Sequence, residues 1–294
     1  MPPESVDPVP RLVTAGVTIV AGKGGVGKTT VTAVLAHAAA SAGQRVLVVE
    51  LDGKPVLRQL AGDVAFQEIS ASEALAEYLR EHGFGRIAKR LSTSGVIDVV
   101  ATAAPGIDDI VVLGKIKQLE RSGDWDVIIV DGPAAGHAVT FLTAAAGMRD
   151  AVRGGPIRSQ ADEVLELLAD PTRCQVVLVT LPETTPVNEV VETAYALEDR
   201  VGVQLGPLVI NGVDVPEVAL PANDVAAPSG SADRALLRDA ARFRRARLEL
   251  QRVEIERLGE ELPLDQWRLP LRPVAALSAD DARLLAGRLT RAAP

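Results

Sequence analysis

The sequence contains little cysteine, few aromatic residues and no long apolar run. Its single cysteine, Cys174, excludes an internal disulfide and a metal cage of several thiolates within one chain. Aromatic residues make up 3% of the 294 residues and apolar residues 47%, so the core has to be built from Val, Leu, Ile and Ala. Because no apolar run approaches the roughly eighteen residues of a membrane span, we expect a soluble, cytoplasmic protein.

Lysine is also scarce, although the chain carries many charges. There are 31 basic and 39 acidic residues, which give a net charge of −8. This balance argues against nucleic acid or an anionic membrane surface as the main binding partner, because both repel negative charge. Six residues are lysines, and two of them, Lys23 and Lys28, belong to one glycine-rich loop.

That loop, GKGGVGKTT at residues 22–30, lies between a Val-rich apolar run and a run of small apolar residues. The two runs predict a buried strand and a closely packed helix. The glycines allow backbone N–H groups to converge on an anion, and the helix N-terminus adds partial positive charge. In this P-loop pattern Lys28 reaches the β- and γ-phosphates, and the Thr29 hydroxyl binds Mg²⁺. We therefore predict a site for a nucleoside triphosphate with Mg²⁺.

The same glycines also satisfy the GxGxxG pattern of a dinucleotide-binding loop. Glu50 and Asp52 follow at the spacing of an acid that binds a ribose. A dinucleotide loop has no use for a Lys-Thr pair at the start of the helix, whereas a triphosphate–Mg²⁺ site needs both residues. We favour the P-loop and keep an NAD-dependent oxidoreductase as an alternative.

Short apolar segments alternate with helical ones along the chain. This order predicts an α/β fold with a mostly parallel central sheet that helices cover on both faces, and ligands then bind beyond the carboxyl ends of the strands. The predicted strands cover 12–20, 45–51, 96–101, 127–130, 175–180, 208–210 and 266–271. The predicted helices cover 31–40, 56–94, 106–121, 136–170 with a break near 154–156, 186–198, 235–262 and 280–291.

We expect a single P-loop ATPase domain over residues 11–294. Residues 1–10 are rich in Pro and acidic, which predicts a disordered lead-in without the features of a signal peptide. A helical subdomain is expected from about 56–120 and 213–262. Residues 214–232 are rich in Pro, Ala, Ser and Asp, which is typical of a linker or mobile loop.

Acidic residues follow two of the predicted strands. Asp131 comes directly after four apolar residues, as a Walker B acid does, and would hold Mg²⁺ through a water molecule. Asp52 could orient or deprotonate the attacking water; we favour it over Glu50, which could support it or be a turn acid. His137 either packs or caps the following helix, or reports the state of the γ-phosphate to that helix as part of a switch.

Lys23 occupies a position that an ordinary P-loop leaves unspecified. The pattern GKGGVGKTT resembles the deviant Walker A signature of dimeric ATPases, in which this lysine crosses to the phosphates of the partner subunit like an arginine finger. Other stretches are similar to the ArsA-type ATPase family, and the similarity extends over about 13–291. They are PGIDD at 105–109, DGPAAGHAVTFL at 131–142, VTLPE at 179–183 with Glu189 after it, and LPL at 269–271.

The resemblance implies an ATPase of the P-loop class that binds ATP with Mg²⁺ and hydrolyses it. By position, the residues that bind phosphate and Mg²⁺ are Gly24, Gly25, Val26, Gly27, Lys28, Thr29 and Thr30. Lys23 acts in trans, Asp52 positions water, and Asp131 serves the metal site. Gly136 and His137 belong to a second switch, while Asn211 and Pro270 flank the base.

For partners, the resemblance implies a homodimer or a heterodimer with a paralogous ATPase, with a protein client or a membrane as a further partner. Several family features differ here. The first switch reads DGKP at 52–55 where the family has DPAH, so hydrolysis could be slow. One cysteine cannot form a three-thiolate metalloid site or a zinc-binding CxxC, and Met1 and Met148 alone cannot line a methionine-rich client groove. Two hypotheses follow: an ATP-driven dimeric switch, and a scaffold that dimerises with ATP but hardly hydrolyses it.

Overall fold

The computed structural model describes residues 16–51, 53, 55–83, 106–215 and 231–291. The predictions for 1–10, for Asp52, for a strand over 96–101 and for all but the ends of the linker or loop over 214–232 fall outside these residues. The strands are β1 (Val17–Gly22), β2 (Val46–Glu50), β3 (Ala65–Glu68), β4 (Val127–Ala134), β5 (Cys174–Thr180), β6 (Leu208–Val213), β7 (Gln266–Pro270) and β8 (Thr290–Arg291). The helices are α1 (Lys28–Ser41), α2 (Pro55–Ala61), α3 (Ala71–Glu81), α4 (Ile107–Arg121), α5 (Ala135–Ala151), α6 (Pro156–Ala169), α7 (Thr184–Val201), α8 (Ser231–Glu261) and α9 (Ala279–Ala286).

The strands form one sheet in the order β3-β2-β4-β1-β5-β6-β7-β8. All neighbours in it are parallel except β7 and β8. The central strands β1, β2 and β5 are buried along their whole length, because both faces of a parallel sheet are covered. The predicted α/β fold of a P-loop NTPase with a mostly parallel sheet is confirmed.

Helices cover the two faces of the sheet with two separate apolar cores. On one face α1, α2 and α9 pack through residues such as Val34, Leu57 and Leu285. On the other face α3 to α8 pack through a larger set that includes Leu113 and Leu142. Small residues let α1 approach the sheet closely, as its sequence predicts.

Three predicted boundaries are wrong. The helix predicted over 56–94 is interrupted by β3, a four-residue edge strand that pairs with β2 on one side only and is therefore too short and too exposed to show an apolar pattern. The last helix ends at Ala286, before Gly287, and Thr290–Arg291 instead pair antiparallel with β7. β4 continues through Asp131 rather than ending before it, because Glu50 on one side and Val20 on the other extend the pairing.

Two features of the composition can be compared with the structure. Cys174 is buried at the start of β5, and burial raises the pKa of its thiol to about 12. Among the described residues, no helix has the length and apolarity needed to cross a membrane.

Candidate functional site

The glycine-rich loop connects the end of β1 to the start of α1 at the centre of the sheet. Gly27 is the N-cap of α1 and has a φ of +90°, a conformation that side chains disfavour. A Cβ atom there would also collide with the amide nitrogen of Asn211. Gly27 is therefore the residue that this geometry requires, for reasons of both conformation and space.

The first turn of α1 supplies the groups that an anion needs. Its first backbone N–H groups have no acceptor within the helix, which is a property of every helix N-terminus, and they add to the positive end of the helix dipole. The Lys28 ammonium donates a hydrogen bond to the carbonyl oxygen of Lys23 at 3.3 Å, so it lies over the loop. A phosphate oxygen at this position would compete with that carbonyl for the ammonium.

Two threonines on one face of α1 bind Asp131. The Thr29 hydroxyl donates to Asp131 Oδ2 at 2.7 Å, and the Thr32 hydroxyl donates to Oδ1 at 3.3 Å. Burial raises the pKa of Asp131, while the Thr29 hydrogen bond and the Lys28 charge act in the opposite direction. Thr32 was not among the predicted site residues, although its spacing of three from Thr29 places the two on the same side of a helix.

The donor set fits Mg²⁺. Mg²⁺ prefers oxygen ligands and keeps several of its waters, so one hydroxyl and one carboxylate beside the phosphates suffice. No group of three or more His, Cys, Asp or Glu side chains that could hold a metal is present among the described residues. The oxygens of Thr29 and Asp131 would therefore hold the ion together with phosphate oxygens and water.

Glu50, the last residue of β2, and Asp52, which comes after the strand, were predicted as candidates for handling the attacking water. Asp52 lies outside the described residues. Glu50 is buried, pairs in register with Asp131 across the sheet, and accepts a hydrogen bond from the Gly53 backbone N–H at 2.6 Å. This hydrogen bond joins Glu50 to the loop that follows β2, as expected of an acid that stabilises a turn.

Lys23, in the outer part of the loop, pairs with α7. Its ammonium forms an ion pair with the carboxylate of Glu189, and both side chains are partly exposed. The two residues line a cleft of about 430 Å³ together with Gly24 and Gly136. Glu189 was noted in the sequence for its similarity to a family segment, but its pairing with Lys23 was not predicted.

Asn211 and Pro270, predicted beside the base, lie at the carboxyl ends of neighbouring strands. The Asn211 amide donates to the carbonyl oxygen of Val26 at 2.8 Å, so it fixes the P-loop directly. Pro270 ends β7 in register with Val213. Contact of either residue with a base stays a prediction.

Gly136 and His137, predicted as the second switch, are exposed in the first turn of α5. Gly136 lies in the cleft of the Lys23–Glu189 pair. His137 lies in a different cleft of about 410 Å³, which Asp108 and Asp109 also line. Burial and the neighbouring Asp108 raise the pKa of Asp109, whereas His137 opposes the shift. The structure thus separates the two switch residues between two clefts.

Comparison with known proteins adds independent findings. Residues 15–154 match the sequence profile of a family described as "Anion-transporting ATPase". The chain is 31% identical to the ATPase BagA of Mycobacterium tuberculosis over 218 residues, which cover 66% of this chain and 64% of BagA. It is 29% identical over 202 residues to the arsenical pump-driving ATPase of Escherichia coli, with 67% of this chain and 34% of that protein covered.

A plant-lineage relative is more distant. The ATPase ARSA1 of Chlamydomonas reinhardtii is 25% identical over 246 residues, which cover 58% of this chain and 32% of ARSA1. The alignments thus span less than two thirds of the length of each of these relatives. These matches, together with the fold that carries the P-loop, support a relationship of the chain to the ArsA-type ATPase family.

Proposed function

We propose that this protein binds ATP with Mg²⁺, hydrolyses it, and uses the cycle as a dimeric switch. The observation that carries the proposal is the cluster in which Thr29 and Thr32 both donate to Asp131 at the base of the P-loop. A hydroxyl, a buried carboxylate and a helix N-terminus at one point are the parts that a metal–triphosphate site needs.

The residues of the cluster have separate roles. Lys28 exchanges the Lys23 carbonyl for a phosphate oxygen and offsets the charge of the β- and γ-phosphates. Thr29 and Asp131 hold Mg²⁺, which when bound neutralises charge that develops on the phosphates. The positive charge of the ion favours the ionised carboxylate of Asp131, against the effect of burial on its pKa. Asp52, from its place in the sequence, orients the attacking water.

Lys23 has to change partner for the dimeric part of the proposal. Its ammonium is paired with Glu189 of its own chain, and a role at the partner subunit's phosphates requires that this pair opens. The pair is partly exposed, so it contributes little stability, on the order of 0 to 1 kcal/mol. Phosphate charge in a neighbouring subunit competes readily with a single carboxylate for the lysine.

The opening and closing of the dimer would be passed to a protein client or a membrane partner. Gly136 lies beside the Lys23–Glu189 pair at the start of α5, so a movement of Lys23 changes the surroundings of that helix directly. We place the coupling surface on the helical elements around α3, α4 and α8. The identity of the partner subunit, the same chain or a paralogue, is left to experiment.

Two observations favour a second candidate, the scaffold that binds ATP but hardly hydrolyses it. Lys23 already has an acceptor in its own chain, and the first switch lacks the usual histidine at residue 55. A protein whose Lys23 stays with Glu189 would bind nucleotide through the P-loop without completing the hydrolytic site.

The test is ATP turnover by the purified protein with Mg²⁺, read together with the oligomeric state in ATP, in ADP and without nucleotide. Asp131→Asn should abolish turnover, whereas Asp150→Asn, an exposed carboxylate on α5, should not change it. Turnover with ATP-dependent dimerisation supports the switch. Tight ATP binding and dimerisation without turnover supports the scaffold, and failure to bind ATP contradicts both.

A further inference from the structure

The long helix α8 buries a glutamine that the proposed site does not use. Gln251 is 3% exposed. Its side-chain oxygen accepts a hydrogen bond from the Asp214 backbone N–H at 3.0 Å, and its side-chain nitrogen donates to the carbonyl oxygen of Gly212 at 3.4 Å. A buried amide costs free energy unless its polar groups are bonded, and here both are. Gln251 therefore fixes α8 to the backbone that follows Asn211.

The backbone that this glutamine binds is irregular. Strand β6 advances three residues, from Ile210 to Val213, while β7 advances two residues in the same stretch of the register. The extra residue forms a bulge at Asn211 and Gly212, and Gly212 has a φ of +69°. A bulge turns a side chain out of the regular alternation of a strand, and bulges are common beside functional sites.

Asn211 reaches the P-loop from this bulge. Its amide donates to the carbonyl oxygen of Val26 at 2.8 Å, one residue before the N-cap of α1. The next carbonyl in the bulge, that of Gly212, is the one that Gln251 binds. If Gln251 were removed, this partly buried carbonyl would lose its partner, and the bulge would gain freedom to rearrange. The position of Asn211 therefore depends on Gln251.

Arg244 provides a second contact between α8 and the same stretch. Its guanidinium donates to both carboxylate oxygens of Asp214, at 3.0 and 3.3 Å. Arg244 precedes Gln251 by two helical turns, so the two side chains leave α8 on the same side. The Arg244 side chain is 39% exposed, so water competes for this ion pair more than for the buried amide. Gln251 is the stronger of the two contacts.

We propose that Gln251 is a positioning residue of the nucleotide site, which holds the β6 bulge so that Asn211 keeps the P-loop in its phosphate-binding shape. This role rests on the proposed function, and it names the residue through which α8 reaches the ATP site. A displacement of α8 passes to the bulge, then from Asn211 to Val26, and so to the glycines of the loop. By the reciprocity of linked binding equilibria, a partner that displaces α8 lowers the affinity for ATP, and bound ATP favours the packed position of α8.

The first test is the affinity for ATP with Mg²⁺, measured by isothermal titration in a cycle of two substitutions. Gln251→Met keeps the approximate volume of the side chain but removes both hydrogen bonds, and it should weaken ATP binding about tenfold. In an Asn211→Ala background the same change should have no further effect on affinity, because it acts through Asn211. Its destabilising effect on unfolding should remain in both backgrounds. The matched control is Gln175→Met at the start of β5, which replaces another buried glutamine, 5% exposed, and should leave the affinity unchanged.

A second measurement does not depend on ATP binding. Without nucleotide, hydrogen exchange of the backbone amides of residues 22–30 should be about fivefold faster in Gln251→Met than in the wild type, and unchanged in Gln175→Met. If the wild type fails to bind ATP while the exchange responds in this way, the proposed function fails and the link from α8 to the loop is supported. If the wild type binds ATP while Gln251→Met changes neither affinity nor exchange, the link alone fails.

A third variant covers the case in which Gln251→Met does not fold. Arg244→Ala replaces a partly exposed side chain and should weaken ATP binding about two- to threefold. In that case, wild-type affinity and exchange in Arg244→Ala would overturn the proposal. An equal loss of affinity from Gln251→Met with and without Asn211→Ala would overturn it as well, because the effect would then bypass Asn211.

Discussion

Lys23 and Lys28 belong to one loop, five residues apart, yet they have different surroundings. Lys28 begins α1 and lies next to a network in which Thr29, Thr32 and Asp131 are tied together across two elements. Lys23 is partly exposed, and its charged partner among the described residues is Glu189. The inner half of the loop, at Lys28 and Thr29, therefore holds a ligand in one place. The outer half, at Lys23, can change its charged partner.

The difference in burial explains this division. A buried hydrogen-bonded network loses several interactions when one member moves, so it keeps its geometry. An exposed ion pair loses little, because water and other charges replace the partner. The loop can thus bind a phosphate at Lys28 while Lys23 exchanges its charged partner.

The largest expected effect comes from breaking the inner half. Thr29→Ala removes a hydrogen bond to Asp131 and a ligand for Mg²⁺, so we expect Mg²⁺-dependent ATP affinity to fall by about 100-fold or more. Isothermal titration with Mg²⁺ and with EDTA measures it. Thr143→Ala, which removes a hydroxyl bonded only to its own helix, is the control. Equal affinities of Thr29→Ala and the wild type would show that the cluster does not hold the metal.

A smaller effect tests how Asn211 supports the loop. Gly27→Ala combines a disfavoured φ with a collision at the Asn211 amide, and it should lower the free energy of unfolding by about 2 to 3 kcal/mol. In an Asn211→Ala background the collision disappears, and the cost of Gly27→Ala should fall to about 1 kcal/mol, the conformational part. Denaturant unfolding of the four proteins measures the coupling. Equal costs in both backgrounds would mean that Asn211 does not confine the loop.

The smallest effect on stability is expected in the outer half. Glu189→Gln removes the charge that holds Lys23, and we expect a loss of at most about 1 kcal/mol in the free energy of unfolding. Because Lys23 is then released, ATP-dependent dimerisation should become stronger rather than weaker. Glu192→Gln, on the same helix and in the same cleft, is the control. Weaker dimerisation of Glu189→Gln would show that the pair supports the closed state.

Much of the inner half could be predicted from the sequence. The P-loop residues and Asp131 follow from local rules: a strand, a glycine loop, a helix start and an acid after an apolar run. The parallel sheet follows from the apolar strands. These features depend on residues close together in the chain, or on burial patterns that repeat at a fixed period.

The rest depends on contacts between distant segments. Glu189 is 166 residues from Lys23, and no spacing rule connects them. Asn211 was predicted beside a base, but its contact with Val26 comes from the meeting of β6 and the loop. β3 and β8 are short edge strands whose existence depends on a neighbour rather than on their own sequence.

The most direct test of the central claim is complementation between two inactive variants. Lys23→Ala should lack the exchanged lysine, and Asp131→Asn should lack the metal ligand, so each alone should show no Mg²⁺-dependent ATP turnover. In an equimolar mixture, a mixed dimer would unite an intact Asp131 in one copy with Lys23 of the other. If Lys23 acts across a homodimer, turnover should return to about a quarter of the wild-type value, because half of the dimers are mixed and each has one complete site. No recovery in a mixture that still forms dimers with ATP would contradict the account, since it would confine Lys23 to its own chain.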